Sequence, residues 1–301
     1  MINTTEIISP PKPLVKAIRK NDDFLADLDF QLKDQENFYI WWLGQSGFLL
    51  QWRGQRVLLD PYLSDSLTRK YADTNKPHIR MCEKVVDPAK LTGINLVTSS
   101  HNHTDHLDAE TLIPLLAANP EIQMVIPEAN RVFVTDRIKK NLYYPVGLSE
   151  GKSVTIGHFT LHGIPAAHNE IEKDEFGNDR FMGYIISFGK WSLYHSGDTL
   201  LYDGMAERIK PYNVDLAMLP INGNDPSRGV AGNLNTAEAV QLAGDIGAKW
   251  LIPCHYDMFT FNTVDVNEFA KIAGNRAQPH CILDIGGKIC SRELEPVLFQ
   301  E

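Results

Sequence analysis

The sequence predicts an α/β layered fold. Three observations carry that expectation: apolar runs of strand character recur over residues 38–285, the first of them follow one another without intervening helices, and the later ones alternate with capped helical segments. The order strand-rich then alternating occurs in two successive halves. No linker, low-complexity tract or short repeat divides the chain.

Taken in order, Leu14, Val15 and Ile18, then Phe24, Leu25 and Leu28, recur at helical spacing among charges, so residues 1–37 read as a helical extension ahead of a main domain over 38–301. From Phe38 the period changes to that of strands: FYIWWLGQSGFLLQWRGQRVLLDPY holds three β-rich runs, with turns at Gln45-Ser46-Gly47 and Arg53-Gly54-Gln55. INLVTSS is a short apolar run that ends just before His101. Asp108 then stands as the N-cap of a helix in AETLIPLLAANP, which places the intervening residues on a strand-to-helix loop. A strand over 123–126, a helix over 131–138 and two hairpins, SVTI/FTLHGI and GYIISF/WSLYHS, follow. Residues 214–219 and 250–253 read as strands, Asn235/Glu238 and Asp265/Glu268 have capping-box spacing, and HCILDI reads as the final strand.

Composition narrows the function classes. The chain has 301 residues, 43% of them hydrophobic, enough for a large core. Lys and Arg total 29 against 38 for Asp and Glu, a net charge of -9, so neither nucleic acid nor an anionic membrane is an expected partner. An anionic small-molecule substrate must therefore be held by local positive charge. The start, MINTTEIISPPKPLVKAIRK, has no uninterrupted apolar core of a signal peptide, and no apolar run approaches the roughly 20 residues of a membrane span, so a cytoplasmic protein is expected. Cys82, Cys254, Cys281 and Cys290 form no CxxC pair and read as packing residues.

The chemistry concentrates in SHNHTDHLD, where His101, His103, Asp105 and His106 put three imidazoles and a carboxylate within six residues. Imidazole and carboxylate are the ligands of Zn, Mn or Fe in catalytic sites, and alternate residues of a tight loop can face two neighbouring metal positions. Of the other histidines, His158 reads as a hairpin turn, His162 as a strand residue, His280 as a strand entry, and His195 as an orienting or proton-transfer group.

HNHTDH resembles the HxHxDH signature of the metallo-β-lactamase superfamily, and the similarity extends over about 38–285. The resemblance implies a four-layer αββα sandwich and two divalent ions, with manganese or zinc expected. It further implies that His101, His103 and His168 serve one ion, Asp105, His106 and His255 the other, and that Asp198 is shared. Asp60, ending VLLD, resembles the family's early aspartate, which orients the histidines. Two such ions lower the pKa of a shared water toward neutrality, so no Ser or Cys nucleophile is required. Asp198 or Asp105 then accepts the proton, and His195 is a candidate donor to the leaving oxygen.

Aspartate rather than cysteine at 198 argues against a secreted antibiotic-degrading enzyme. WWLGQSGFLL, LLDPYLSD, INGND and AGDIGAKWLIPCHYDMF are similar to the L-ascorbate-6-phosphate lactonase branch. That likeness implies a phosphorylated lactone substrate and a homo-oligomer; the alternative is a phosphodiesterase with the same metal site. For the substrate, KPHIR offers Lys76, His78 and Arg80, and NGNDPSRG offers Asn222, Asn224 and Arg228, with arginine suited to phosphate. Tyr256 and Phe259 follow His255 and either line the pocket or pack beneath it.

Overall fold

Strand-forming aromatic and β-branched residues over 39–59 fold into a meander of β1 (Tyr39–Gly44), β2 (Gly47–Trp52) and β3 (Gln55–Leu59) in the computed structural model, which describes residues 13–295. The meander is preceded by α1 (Asn21–Gln31) and followed by the short α2 (Ser66–Lys70). The chain continues through β4 (Leu96–Thr98), α3 (Ala109–Ala118), β5 (Gln123–Pro127), α4 (Arg131–Ile138) and β6 (Val146–Leu148). Next come the hairpins of β7 (Ser153–Ile156) with β8 (Phe159–Pro165), and of β9 (Met182–Phe188) with β10 (Trp191–His195). The alternating end of the chain comprises α5 (Met205–Ile209), β11 (Leu216–Pro220), α6 (Thr236–Asp245), β12 (Trp250–Cys254), α7 (Val266–Asn275), β13 (Lys288–Cys290) and α8 (Ser291–Leu294).

Two mixed sheets result, flanked by helices as the αββα sandwich requires. One runs β13-β1-β2-β3-β4-β5-β6 and the other β12-β11-β10-β9-β8-β7. Each is antiparallel where hairpins connect it and parallel where helices do, as expected when a parallel neighbour demands a crossover. Phe38 packs edge-on against Phe188 and Trp191 at 5.5 and 5.0 Å, and Phe48 against His195 at 6.0 Å, closing the interface between the sheets. The parallel strands β4, β11 and β12 end on one rim, and the loops beyond them carry the polar residues described below. Among the described residues no helix is long and apolar enough to cross a membrane.

Three sequence expectations change. Leu14, Val15 and Ile18 are not helical: Val15 exchanges backbone hydrogen bonds with Met81 and Glu83, and Ile18 N–H donates to Ile285, so this stretch is an extended strap with exposed side chains. Residues 1–12 of the expected extension lie outside the described residues. Helicity begins at Asn21, and Phe24 and Leu28 are fully buried against the main core. HCILDI makes only a single bridge, His280 to Leu251, and then leaves the sheet; the final strand is β13, which pairs with β1. Asn235 and Glu238 form the full capping box, whereas Asp265 caps Asn267 N–H alone. All four cysteines are free, with Cys82 and Cys254 buried.

Candidate metal centre

Each of the seven expected donors lies beyond a strand end. His101, His103, Asp105 and His106 follow β4, His168 follows β8, Asp198 follows β10 and His255 follows β12. The fold brings them into two adjoining groups. Ligand atoms of His101, His103 and His168 lie within 4.8 Å of one another, as do those of Asp105, His106, Asp198 and His255. Asp198 stands between the groups: Oδ1 is 3.3 Å from His106 Nε2, while Oδ2 is 3.2 Å from His255 Nε2 and 3.7 Å from His168 Nε2.

The histidines are aimed by their other ring nitrogens. His106 Nδ1–H donates to Asp60 Oδ2 at 2.7 Å, and His168 Nδ1–H donates to the Gly232 carbonyl at 2.9 Å, so both present Nε2 to the centre. Asp60 is fully buried and also accepts from Ser100 N–H at 2.9 Å, from the Ser100 hydroxyl and from Thr98. Backbone strain accompanies this arrangement. Asp60, His255 and Gln45 adopt φ of 41°, 61° and 51°, uncommon for residues with a side chain and held here by surrounding contacts. His255 N–H, for example, donates to the Gln45 carbonyl at 3.0 Å.

The donor set fits a divalent cation. Nε2 of His101, Nε2 of His106 and Oδ1 of Asp198 are buried with no hydrogen-bond partner among the described residues, each a costly condition for a polar atom. Burial pushes His101 and His103 down and lowers His168 to about 4, which keeps these rings neutral and able to donate a lone pair. In the other group burial opposes charge, but the carboxylates of Asp198 and Asp105 outweigh it, raising His106 and bringing His255 to about 9. Likewise burial resists ionisation of Asp105 and Asp198, yet His106 and His255 hold both carboxyls below their ordinary range. The clustered carboxylates thus favour positive charge at this spot, which a divalent ion would supply without protonating the rings.

Five of the seven, His103, Asp105, His168, Asp198 and His255, line a cavity of about 550 Å³. Of the residues proposed for substrate, His78 lines it, stacked on Tyr71 with centroids 4.2 Å apart and edge-on to Phe259 and Phe261. Its Nδ1–H donates to the Lys76 carbonyl, and burial lowers its pKa. Phe259 also lines the cavity; Tyr256 does not, being buried in a stack on Trp42 with its hydroxyl donating to the Leu283 carbonyl.

The remaining assignments move. Arg80 is turned away, its guanidinium fixed by Asp65 at 2.8 Å and the Ser64 carbonyl at 2.5 Å. Arg228 and Asn222 lie behind the wall: Arg228 donates to the Asn222 carbonyl and Asn262 Oδ1, and Asn222 bonds Asn262 and Asn233, which do line the cavity. Asn224 belongs to the same outer groove, alongside Gly232. His195 is fully buried between the sheets and donates from Nε2 to the Ser46 carbonyl at 2.9 Å, so it is not placed to protonate a leaving group in the cavity.

Sequence reasoning passed over Gln45, Lys70 and Arg137, all of which line the cavity. Arg137 lies on α4, where a basic residue reads as a solvated helix face, and Lys70 ends a helix too short to leave a periodic signal. Gln45 carried a usable signal, a polar residue at the end of an apolar strand, but was absorbed into the turn.

Comparison with known proteins places the chain in a family and matches its fold. A metal-dependent hydrolase from Caldivirga maquilingensis is 25% identical over 243 residues, covering 80% of this chain and 92% of that protein. Another from Methanosphaerula palustris is 27% identical over 256 residues, covering 82% and 97%. In fold the chain is similar to Igni18, a metallo hydrolase from Ignicoccus hospitalis, with TM-score 0.61 and 20% identity over 85% of this chain and 98% of that one. The family model described as the β-lactamase superfamily domain matches residues 55–256, a span that holds Asp60 and all seven donors, and the chain belongs to that family.

Proposed function

We propose that this protein is a metal-dependent hydrolase of small anionic esters, with opening of a phosphorylated sugar-acid lactone as its favoured reaction. The observation that carries the reading is the Asp198 carboxylate, set between two groups of candidate donors beside a cavity that also holds Lys70 and Arg137. In this proposal His101, His103 and His168 hold one ion, Asp105, His106 and His255 a second, and Asp198 both. When bound, such ions make water nucleophilic near neutral pH and stabilise developing negative charge on the substrate.

The chain's own residues supply the rest. Against burial, His106 and His255 hold Asp105 ionised, while Asp60 holds His106 in one tautomer. Lys70 and Arg137 provide the positive charge that a chain at -9 must concentrate locally for an anionic substrate. Arg137 uses Nη1 on the carbonyls of Asn102 and Leu107, and no carboxylate pairs with it among the described residues, which leaves guanidinium donors for a phosphate. His78, with Nδ1 committed to Lys76, offers Nε2 to the cavity as a proton-transfer atom.

The test is elemental analysis of purified protein followed by parallel assay on phosphorylated lactones, unphosphorylated lactones and phosphodiesters. Chelator-sensitive turnover of the phosphorylated lactone is expected. Phosphodiester cleavage with no lactone turnover would replace the lactonase reading, and full turnover by metal-free protein would remove the hydrolase mechanism.

A further inference from the structure

Three side-chain amides form a line in the cavity wall. Asn233 Nδ2 donates to Asn222 Oδ1 at 3.1 Å, and Asn222 Nδ2 donates to Asn262 Oδ1 at 2.9 Å. Asn222 and Asn233 are buried and Asn262 is half-buried; Asn233 and Asn262 line the cavity. A line of this kind has two equivalent directions, since turning all three amides over exchanges nitrogen for oxygen and keeps both mutual bonds.

Arg228 removes that freedom. Its Nη1 donates to Asn262 Oδ1 at 3.1 Å and to the Asn222 carbonyl at 2.5 Å. A guanidinium can only donate, so the Asn262 atom facing it is the oxygen, and that choice orients Asn222 and Asn233 in turn. Asn262 Oδ1 then accepts twice, while Nδ2, on the other arm of the amide, has no hydrogen-bond partner among the described residues. The backbone is fixed as well, Asn262 N–H donating to the Phe259 carbonyl at 3.0 Å.

We propose that Asn262 is a specificity-determining residue of the cavity, its Nδ2 donating to an uncharged carbonyl, ring or hydroxyl oxygen of the substrate, and that Arg228 is the positioning residue that keeps this donor turned inward. The inference rests on the cavity being the substrate site proposed above, with Lys70 and Arg137 taking the anionic group. The wall then reads one property of the substrate. An acceptor at this point is bound, and a group that can only donate is refused because it meets fixed amide hydrogens.

The experiment compares Asn262→Ala, Asn262→Asp, Arg228→Met and the double variant Asn262→Ala/Arg228→Met, as full chains of equal metal content, on a phosphorylated lactone and its unphosphorylated counterpart. Asn262→Ala removes the donor and should raise KM for both about three- to tenfold with kcat nearly unchanged. Asn262→Asp keeps the shape and an acceptor for Arg228 and Asn222 but turns an acceptor toward the substrate, so KM should rise further, by about thirtyfold. Arg228→Met should resemble Asn262→Ala, and added to it should change KM by less than about twofold. A purely structural Asn262 would reverse the ranking, with Asn262→Asp close to wild type and Asn262→Ala worse. That ranking, additive effects, or an Asn262→Asp effect confined to the phosphorylated lactone, the mark of charge repulsion alone, would overturn the proposal. A substrate-free measurement separates its failure from that of the lactonase reading: in the wild type the Asn262 side-chain amide should exchange hydrogen with water about tenfold faster than that of Asn222, and Arg228→Met should shrink the difference. Slow exchange at Asn262 would overturn the donor assignment. Fast exchange with turnover of a phosphodiester and of neither lactone would overturn the lactonase reading alone, and the KM ranking on that phosphodiester would then decide the proposal.

Discussion

His106 donates from Nδ1 to Asp60 Oδ2 over 2.7 Å, and neither side chain reaches solvent. The carboxylate fixes the tautomer of the ring and leaves Nε2 as the atom facing Asp105 and Asp198. Replacing a partner of this kind lowers metal affinity by roughly 10–100-fold, and we expect Asp60→Ala to do so. Competition with a chelator measures it. Unchanged affinity in a folded variant would remove the orienting role of Asp60.

The clustering of the seven candidate donors was legible in the sequence because HNHTDH places four of them on one short loop, and because the family resemblance pointed to Asp60, His168, Asp198 and His255 at later strand ends. The strand order of the meander and both hairpins followed from period-two runs and Gly-containing turns. What misled was spacing without context. Leu14, Val15 and Ile18 fit a helix by count, but their backbone pairs with 81–83 and 285 instead. Arg80 and Arg228 looked like phosphate anchors, since nothing in KPHIR or NGNDPSRG reveals that Asp65 and Asn262 already occupy them. Arg137 illustrates the converse: only the packing of α4 beside the 101–107 loop brings a helix-face cation to the cavity.

Asp198 tests the bridging role. Asp198→Ala removes the carboxylate that faces His106, His168 and His255 and leaves those rings with no common anion. We expect loss of metal from the variant and a fall in kcat far larger than any change in KM for the phosphorylated lactone. Metal stabilises only the folded state, by about 2.7 kcal/mol at one hundred times its Kd. The wild type should therefore melt several degrees lower after chelation, and Asp198→Ala should show a smaller difference. Near-normal turnover by a folded, metal-depleted variant would refute the assignment.

The three arginines should separate cleanly. Arg137→Gln is expected to raise KM for a phosphorylated lactone by about tenfold or more and to leave an unphosphorylated one unaffected, because a charge-assisted contact equal in ground and transition states acts on binding alone. Arg80→Ala should instead lower the urea midpoint, as it strips a buried guanidinium from Asp65 and the Ser64 carbonyl. Arg228→Ala should change kcat/KM for both lactones alike, acting through Asn222 and Asn262 in the cavity wall. Equal use of the two lactones by wild type and Arg137→Gln would remove the phosphate hypothesis.

The last prediction concerns the attachment of α1. Asp27 accepts from Trp41 Nε1 at 2.8 Å and from Lys288 Nζ, so one carboxylate ties the helix to β1 and β13. Burial alone would raise its pKa, but hydrogen bonds from Lys288 and Trp41 outweigh that and hold it below the ordinary value. A carboxyl depressed in the folded state contributes stability that is fully present above its unfolded pKa of about 3.9 and is lost as pH falls through the lower folded value. Asp27→Asn should therefore cost about 1–3 kcal/mol at neutral pH, the scale of hydrogen bonds to a charged group in a partly buried site. The gap between wild type and variant, read from urea midpoints, should hold from pH 7 to about 5 and narrow as pH drops below about 4. A gap independent of pH would show that Asp27 acts through shape and neutral hydrogen bonding, and a gap that widened in acid would contradict the sign derived from its partners.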